Sequence, residues 1–313
     1  MQTPTPAPNR RALPVDARVT RWRAADGWKL RRFDWPGGAR GSILFQVGRG
    51  DLFEKYLEVF AHWHASGWNI TSLDWRGQGG SGRLGEDANV GHCDDFAALV
   101  RDLEQFYAEW RAETPGPWIV MGHSMGGHLV LRASLSGRVR PDAAVLSAPM
   151  LGLRSPMGAR FGEWSARLMT RIGDPARAAW KGGEKPGVVN RQALLTHDDA
   201  RYADELWWHR AHPEVRLGPP SWAWLHTSFV STREQRVDAR LATMRVPVLM
   251  LVPLADRLVD AAAARRVASA LPDAVVKTWG AESAHEVLRE ADPVRDAAIA
   301  AVDAFLDERA PPS

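Results

Sequence analysis

Trp118-Ile119-Val120-Met121-Gly122-His123-Ser124-Met125-Gly126-Gly127-His128-Leu129-Val130-Leu131 decides the reading of the chain. A short apolar run enters Gly-His-Ser-Met-Gly, and an amphipathic segment leaves it. This is G-x-S-x-G between a predicted strand and a predicted helix, the setting in which the pattern has chemical meaning. Such a turn holds its serine in a strained backbone conformation at the end of the strand. Gly122 and Gly126, two positions to either side, leave room for it, because side chains there would collide. The helix that begins at Ser124 aims its unpaired N–H groups at the place where negative charge would develop.

Outward from this turn the chain alternates predicted strands and helices. Residues 17–24 and 28–34 alternate apolar and polar around Ala25-Asp26-Gly27, the pattern of an antiparallel hairpin. Residues 41–47 form a continuous apolar strand, as expected when helices cover both faces. A helix is predicted over 53–66, ended by Gly67, then a strand over 69–74 and a helix over 92–113. Another short buried strand covers 143–147. After Pro149 the alternation stops. Residues 152–236 carry short helical stretches, turns and many tryptophans, and read as an inserted cap. The alternation resumes with a strand over 246–252, a helix over 257–271, a strand over 274–279 and a closing helix over 293–308. The expected architecture is a mostly parallel sheet with helices on both faces and an inserted helical cap. The core takes residues 16–150 and 237–310, the cap takes 151–236, and residues 1–15, rich in Pro, Thr and Arg, form a disordered leader.

Composition removes several function classes. With 313 residues, 45% hydrophobic and 25% charged, the chain has the make-up of a soluble globular protein. It contains no apolar run of about 18 residues and no signal-peptide core near its start. A single cysteine, Cys93, leaves no internal disulfide and fits a reducing cytoplasm. The net charge is +3, with the basic residues scattered rather than interleaved with aromatics, so nucleic acid is not an expected partner. Weak attraction to an anionic lipid surface stays open.

A serine hydroxyl is a poor nucleophile at neutral pH and needs a general base held by an acid. On sheets of this kind the partners follow in the order Ser, Asp or Glu, His, each in a loop after a late strand. Asp256 follows the strand over 246–252, and its rival Asp260 is placed to cap the next helix. His285 follows the strand over 274–279 and is the only histidine beyond the acid loop. The oxyanion needs two N–H donors already in place: Met125, after the nucleophile, and Arg49, in the loop Val47-Gly48-Arg49-Gly50. No metal or organic cofactor is needed for this chemistry.

Several segments together resemble the bacterial lysophospholipase and monoacylglycerol lipase family of serine α/β hydrolases. They are Gly48-Arg49-Gly50-Asp51 through Lys55-Tyr56, Asp74-Trp75-Arg76-Gly77-Gln78-Gly79-Gly80-Ser81-Gly82-Arg83, Gly122 through Gly127, Asp256-Arg257-Leu258-Val259, and His285-Glu286-Val287-Leu288-Arg289-Glu290. The Gly-Arg opening followed by Lys-Tyr looks most like the lysophospholipase branch. The resemblance implies the α/β-hydrolase fold, a triad of Ser124, Asp256 and His285, oxyanion donors at Arg49 and Met125, and hydrolysis of lipid esters. The turn over 74–81 is expected to shape the pocket rim, with no reactant role for its arginine or serine. Many enzymes of this kind carry His-Gly where this chain has Val47-Gly48, a departure shared with the Gly-Arg variant.

Other constellations carry bland readings. His62 and His64 diverge on a helical stretch and lack a third ligand for a metal. Thr196-His197-Asp198-Asp199 reads as a helix cap, and Asp94-Asp95 as acids at a helix start. Trp207, Trp208, Trp222 and Trp224 carry two readings, a packed core or an apolar wall for an acyl chain. The expected enzyme is a cytoplasmic carboxylic ester hydrolase, peripheral to the inner membrane surface if its cap meets lipid. The rivals are an aminopeptidase, a thioesterase or an acyltransferase on the same scaffold, and a non-catalytic ligand-binding protein. An aminopeptidase would need Glu163, Glu184, Asp204 or Glu205 to converge on a free amine.

Overall fold

A computed structural model describes residues 9–181 and 191–311 of the chain. The hairpin pairs β1 (Arg18–Arg23) with β2 (Lys29–Trp35), turning at Gly27 with φ 87°. β3 (Gly41–Gln46) is buried at every position, because helices cover both of its faces. The segment after it opens with a 3-10 turn at Phe53–Tyr56 and continues as α1 (Leu57–Ala65). β4 (Trp68–Leu73) then pairs parallel to β3 and antiparallel to β2.

α2 (Phe96–Glu113) starts four residues later than the apolar periodicity predicts. The cause is local: the Asp95 carboxylate accepts the Ala97 N–H at 2.8 Å, and Asp95 itself is extended, so the helix cannot continue backwards. β5 (Trp118–His123) leads through Ser124 into α3 (Met125–Leu135), and β6 (Ala143–Ser147) follows. Beyond the cap come β7 (Val248–Pro253), α8 (Ala261–Ala270), β8 (Ala274–Trp279) and α9 (Asp292–Arg309). Asp260 caps α8 by accepting the Ala262 N–H at 2.9 Å, so the helix begins there and not at residue 257.

Among the described residues the sheet has eight strands in the order β1-β2-β4-β3-β5-β6-β7-β8, parallel from β4 through β8. That is an α/β-hydrolase sheet. Its C-terminal edge collects the loop after β3, the Ser124 turn after β5, and the loops after β7 and β8.

The cap segment contributes α4 (Ala159–Arg171), α5 (Gln192–Leu195), α6 (Asp199–Ala211) and α7 (Trp222–Arg236). Two observations bear on the leader. Residues 1–8 lie outside the described residues. Within the stretch expected to be disordered, Arg10 and Arg11 make ionic contacts with α6. Asp204 on α6 takes Arg10 Nε and Arg11 Nε at 2.6 Å each, and Trp208 Nε1 donates to the Arg10 carbonyl at 2.9 Å. An acidic residue one turn from a tryptophan gives the basic leader a partner that composition alone does not reveal.

Candidate active site

Ser124 has φ 53° and ψ −116°, a left-handed conformation that a non-glycine residue adopts only where the surroundings enforce it. Three hydrogen bonds enforce it. The Ser124 N–H donates to Ser147 O at 2.9 Å, and the Ser124 carbonyl accepts from Met150 N at 2.9 Å and from His128 N at 3.1 Å. Gly126 is required one turn on. A β carbon there would lie 2.3 Å from the Gln46 carbonyl oxygen and 2.5 Å from that of Val47, so α3 packs directly against the end of β3. Met125 is the first residue of α3, and its amide precedes the internal hydrogen-bond ladder.

Asp256 and His285 meet as the order of the motifs anticipates. The imidazole Nδ1 lies 2.6 Å from Asp256 Oδ2, and both side chains are almost fully buried. Asp256 Oδ1 accepts the N–H groups of Leu258 at 2.7 Å and Val259 at 3.1 Å. Burial pushes this carboxyl up. The His285 ring and the two amides outweigh burial and hold the acid below the ordinary carboxylate range. Burial likewise pushes His285 down, and it is outweighed by Asp256 first and by Glu286 and Asp51 next, so the ring sits above the ordinary imidazole value. Ser124 and His285 line one cavity of about 460 Å³, together with Gly48 and Arg49 of the loop after β3.

The loop after β3 is clamped from several sides. Gly48 N donates to Asp51 Oδ2 at 3.3 Å, Gln78 Nε2 donates to Gly48 O at 2.7 Å, and Gly50 N donates to Gln78 Oε1 at 3.2 Å. Trp75 Nε1 adds a bond to Val47 O at 2.8 Å. The turn over 74–81 therefore holds the loop that faces the nucleophile, and none of its residues is among the lining residues of the cavity, so its role is to brace that loop. Tyr56 donates to Asp51 Oδ2 at 2.7 Å and also bonds His123 Nδ1 at 2.9 Å. The Arg49 guanidinium lies over the Trp224 ring at 5.0 Å and donates to the Gly218 carbonyl at 2.7 Å. Its side chain thus runs into the cap. Burial, with Arg191 nearby, lowers this guanidinium to about 9.

The tryptophans divide. Trp222 and Trp224 line the cavity, together with Trp180, which the sequence reading does not single out. Trp207 and Trp208 are absent from the described lining residues, which corrects their placement as an acyl wall. They sit on α6, which packs on the Phe53–Tyr56 turn. Trp208 stacks on His212 at 5.7 Å and bonds the Arg10 carbonyl, so it belongs to the core reading of the pair.

The discounted groups find ordinary partners. His62 reaches Asp303 at 2.7 Å, while His64 reaches the Pro36 carbonyl at 2.7 Å and stacks on Trp35. Asp198 caps α6 through the Arg201 N–H. The acids that an amine-binding site would require are spoken for: Glu163 pairs with Arg233, Asp204 with the leader, and Glu205 with Lys55 and Arg191. Glu184 lies outside the described residues.

Sequence reasoning misses Gln78, Asp51, Lys55 and Glu286 as members of the site. All four stand in the quoted motifs, but which side chains turn inward depends on contacts across the sheet edge.

A family model described as "Serine aminopeptidase, S33" matches residues 37–292. Lysophospholipase L2 of Escherichia coli K12 is 31% identical over 295 residues, covering 87% of this chain and 82% of that protein. Monoacylglycerol lipase of Mycolicibacterium smegmatis is 31% identical over 111 residues, 35% of this chain and 38% of its own. A crystal structure of a soluble variant of Saccharomyces cerevisiae monoglyceride lipase superposes with a TM-score of 0.77 at 19% identity, over 98% of this chain and 99% of that one. The chain belongs to the S33 family of serine α/β hydrolases, is a carboxylic ester hydrolase, and is similar in sequence to lysophospholipase L2.

Proposed function

We propose that Ser124, His285 and Asp256 hydrolyse esters of single-chain lipids, lysophospholipids or monoacylglycerols, through an acyl-enzyme. The observation that carries this reading is the cavity above the strained serine. Apolar side chains including Met150, Leu194, Trp180, Trp222 and Phe229 wall it, and His285, paired with the buried Asp256, is among its lining residues. A wall of this kind takes a hydrocarbon chain and leaves polar groups at the reacting end.

In the reaction, Ser124 Oγ attacks the ester carbonyl carbon as His285 Nε2 takes the hydroxyl proton. The tetrahedral oxyanion is met by the N–H groups of Met125 and Arg49. His285 returns the proton to the leaving alcohol, giving the acyl-enzyme, and then activates water for deacylation. Asp256 keeps the proton on Nδ1 and stabilises the imidazolium. The test is a substrate panel. Micellar lysophosphatidylcholine or monoacylglycerol is expected to be turned over, and aminoacyl-naphthylamides are expected to be inert, because among the described residues Glu163, Asp204 and Glu205 are already ion-paired. Turnover of the amides alone would replace this reading with the aminopeptidase one.

Such substrates live in membranes, and the outer face of the cap suits that setting. Met157, Phe161, Trp164, Leu168 and Ile172 recur at helical spacing along and beside α4 and are all exposed, Met157 to 68% and Trp164 to 58%. Arg160, Arg167 and Arg171 are exposed on the same helix. An apolar stripe flanked by arginines matches an anionic lipid interface. Gly162 and Ser165, between stripe residues, line the cavity, so the helix that carries the stripe also forms part of the cavity wall. Among the described residues no helix is long and apolar enough to cross a membrane, and the proposed association is peripheral, at the cytoplasmic face. Trp164→Glu is expected to weaken sedimentation with phosphatidylglycerol vesicles by about tenfold or more, the equivalent of about 1.4 kcal/mol. Hydrolysis of a short soluble ester stays unchanged. Equal vesicle binding by the variant would remove α4 from the interface.

A further inference from the structure

Behind the His285 ring lies a buried charge cluster that the reaction as written does not use. Its centre is Lys55, whose Nζ is 2.6 Å from Glu286 Oε1, 2.7 Å from Asp51 Oδ1 and 2.9 Å from Glu205 Oε2. The Lys55 and Glu205 side chains are 2% and 0% exposed, so water contributes almost nothing to their solvation. Arg289 pairs with Glu286 and, at 3.4 Å, with Glu205, and Arg191 reaches Glu205 at 2.5 Å. Three cations thus face three carboxylates. Tyr56 and His123 close the set against Asp51, the phenol held protonated by burial and the adjacent carboxylate, and the imidazole held toward neutral by burial.

The three carboxylates belong to three parts of the machinery. Asp51 holds the Gly48 N–H of the oxyanion loop. Glu286 adjoins His285, whose own N–H donates to Leu194 O at 3.2 Å. Glu205 lies on α6 of the cap. The charged and titratable groups around the imidazole are Asp256 on the loop after β7, His123 at the end of β5 with ring centroids 4.8 Å apart, Asp51 and Lys55 after β3, Glu205 on α6, Arg191 before α5, and Glu286 and Arg289 on its own segment.

Resting on the hydrolase reading above, we propose that Lys55 is a positioning residue: one ammonium holds the oxyanion loop, the cap and the histidine loop together, and its charge cancels the carboxylates that face His285. In a low-dielectric site an uncancelled carboxylate favours imidazolium, and a protonated ring cannot act as the general base. The carboxylates of Glu286 and Asp51 already push the ring upward, and Lys55 is a cation that both of them touch.

The test is the pH dependence of kcat/KM on a short 4-nitrophenyl ester, whose acid limb reports ionisation of the free enzyme's base. Lys55→Met removes the cancelling charge and is expected to move the limb up by roughly one pH unit. Glu286→Gln removes a negative charge and is expected to move it down by a similar amount. The double variant restores neutrality and returns the limb toward the wild-type position, while Lys55→Arg leaves it in place. A purely structural role would lower the plateau and leave the limb fixed. Should Lys55→Met fail to fold, Glu286→Gln decides by itself, since a limb unchanged in that variant overturns the proposal. Wild-type protein that turns over no ester would overturn the hydrolase reading on which it stands.

Discussion

Ser124→Ala is expected to reduce ester turnover by roughly 10⁵-fold or more and to leave the fold intact. The size follows from chemistry. Alanine keeps the β carbon and can occupy the same enforced backbone conformation, because the three hydrogen bonds at this residue all use its main chain. The hydroxyl is the only group lost, and with it goes the covalent route. What remains is attack by water on an oriented ester with the oxyanion donors in place. Stability should change by no more than about 0.5 kcal/mol, measured by thermal unfolding. A variant with substantial turnover would take Ser124 out of the mechanism.

Asp256→Asn is expected to reduce kcat by about 10⁴-fold with little change in KM. Its effect follows from which oxygen does what. Oδ1 accepts two amide N–H groups, from Leu258 and Val259, and Oδ2 faces His285 Nδ1. An asparagine has one oxygen and one NH2. Two backbone donors require the oxygen on their side, so the NH2 faces the ring. Nδ1 must then accept, the ring proton moves to Nε2, and Nε2 can no longer take the proton of Ser124. The protein folds normally and holds the wrong tautomer. Steady-state kinetics above the acid limb measures this directly, and retained kcat would mean that another acid orients the ring.

The turn at Ser124 was legible because its constraints are local. An apolar strand, two glycines and a helix follow one another in sequence, whereas the second demand on Gly126, close approach to the Gln46 and Val47 carbonyls, comes from the distant β3. Asp256 and His285 were legible for a related reason, since each lies just past a strand that reads clearly as apolar. Helix starts were less so. α2 and α8 begin where Asp95 and Asp260 cap them, and a side chain that binds an amide two residues on outweighs apolar periodicity.

The cap shows where reading along the chain stops working. Trp207-Trp208 and Trp222-Ala223-Trp224 look alike as sequence, yet of the two only the second lines the cavity, while α6 packs on the Phe53–Tyr56 turn. Lys55 lies 150 residues from Glu205 and 231 from Glu286, and no spacing rule joins them. The docking of Arg10 and Arg11 on Asp204 has the same character. Long-range ionic contacts are chosen by the finished fold, so composition read the leader as disordered.

Central to this account is that Ser124 is made nucleophilic by His285 and becomes acylated. A fluorophosphonate probe followed by peptide mass spectrometry tests it most directly. One adduct is expected, on Ser124, formed quickly in wild type, slowly in His285→Ala, and not at all in Ser124→Ala. Stoichiometric labelling of a different serine, or ester turnover by folded protein whose Ser124 stays unlabelled, would contradict it.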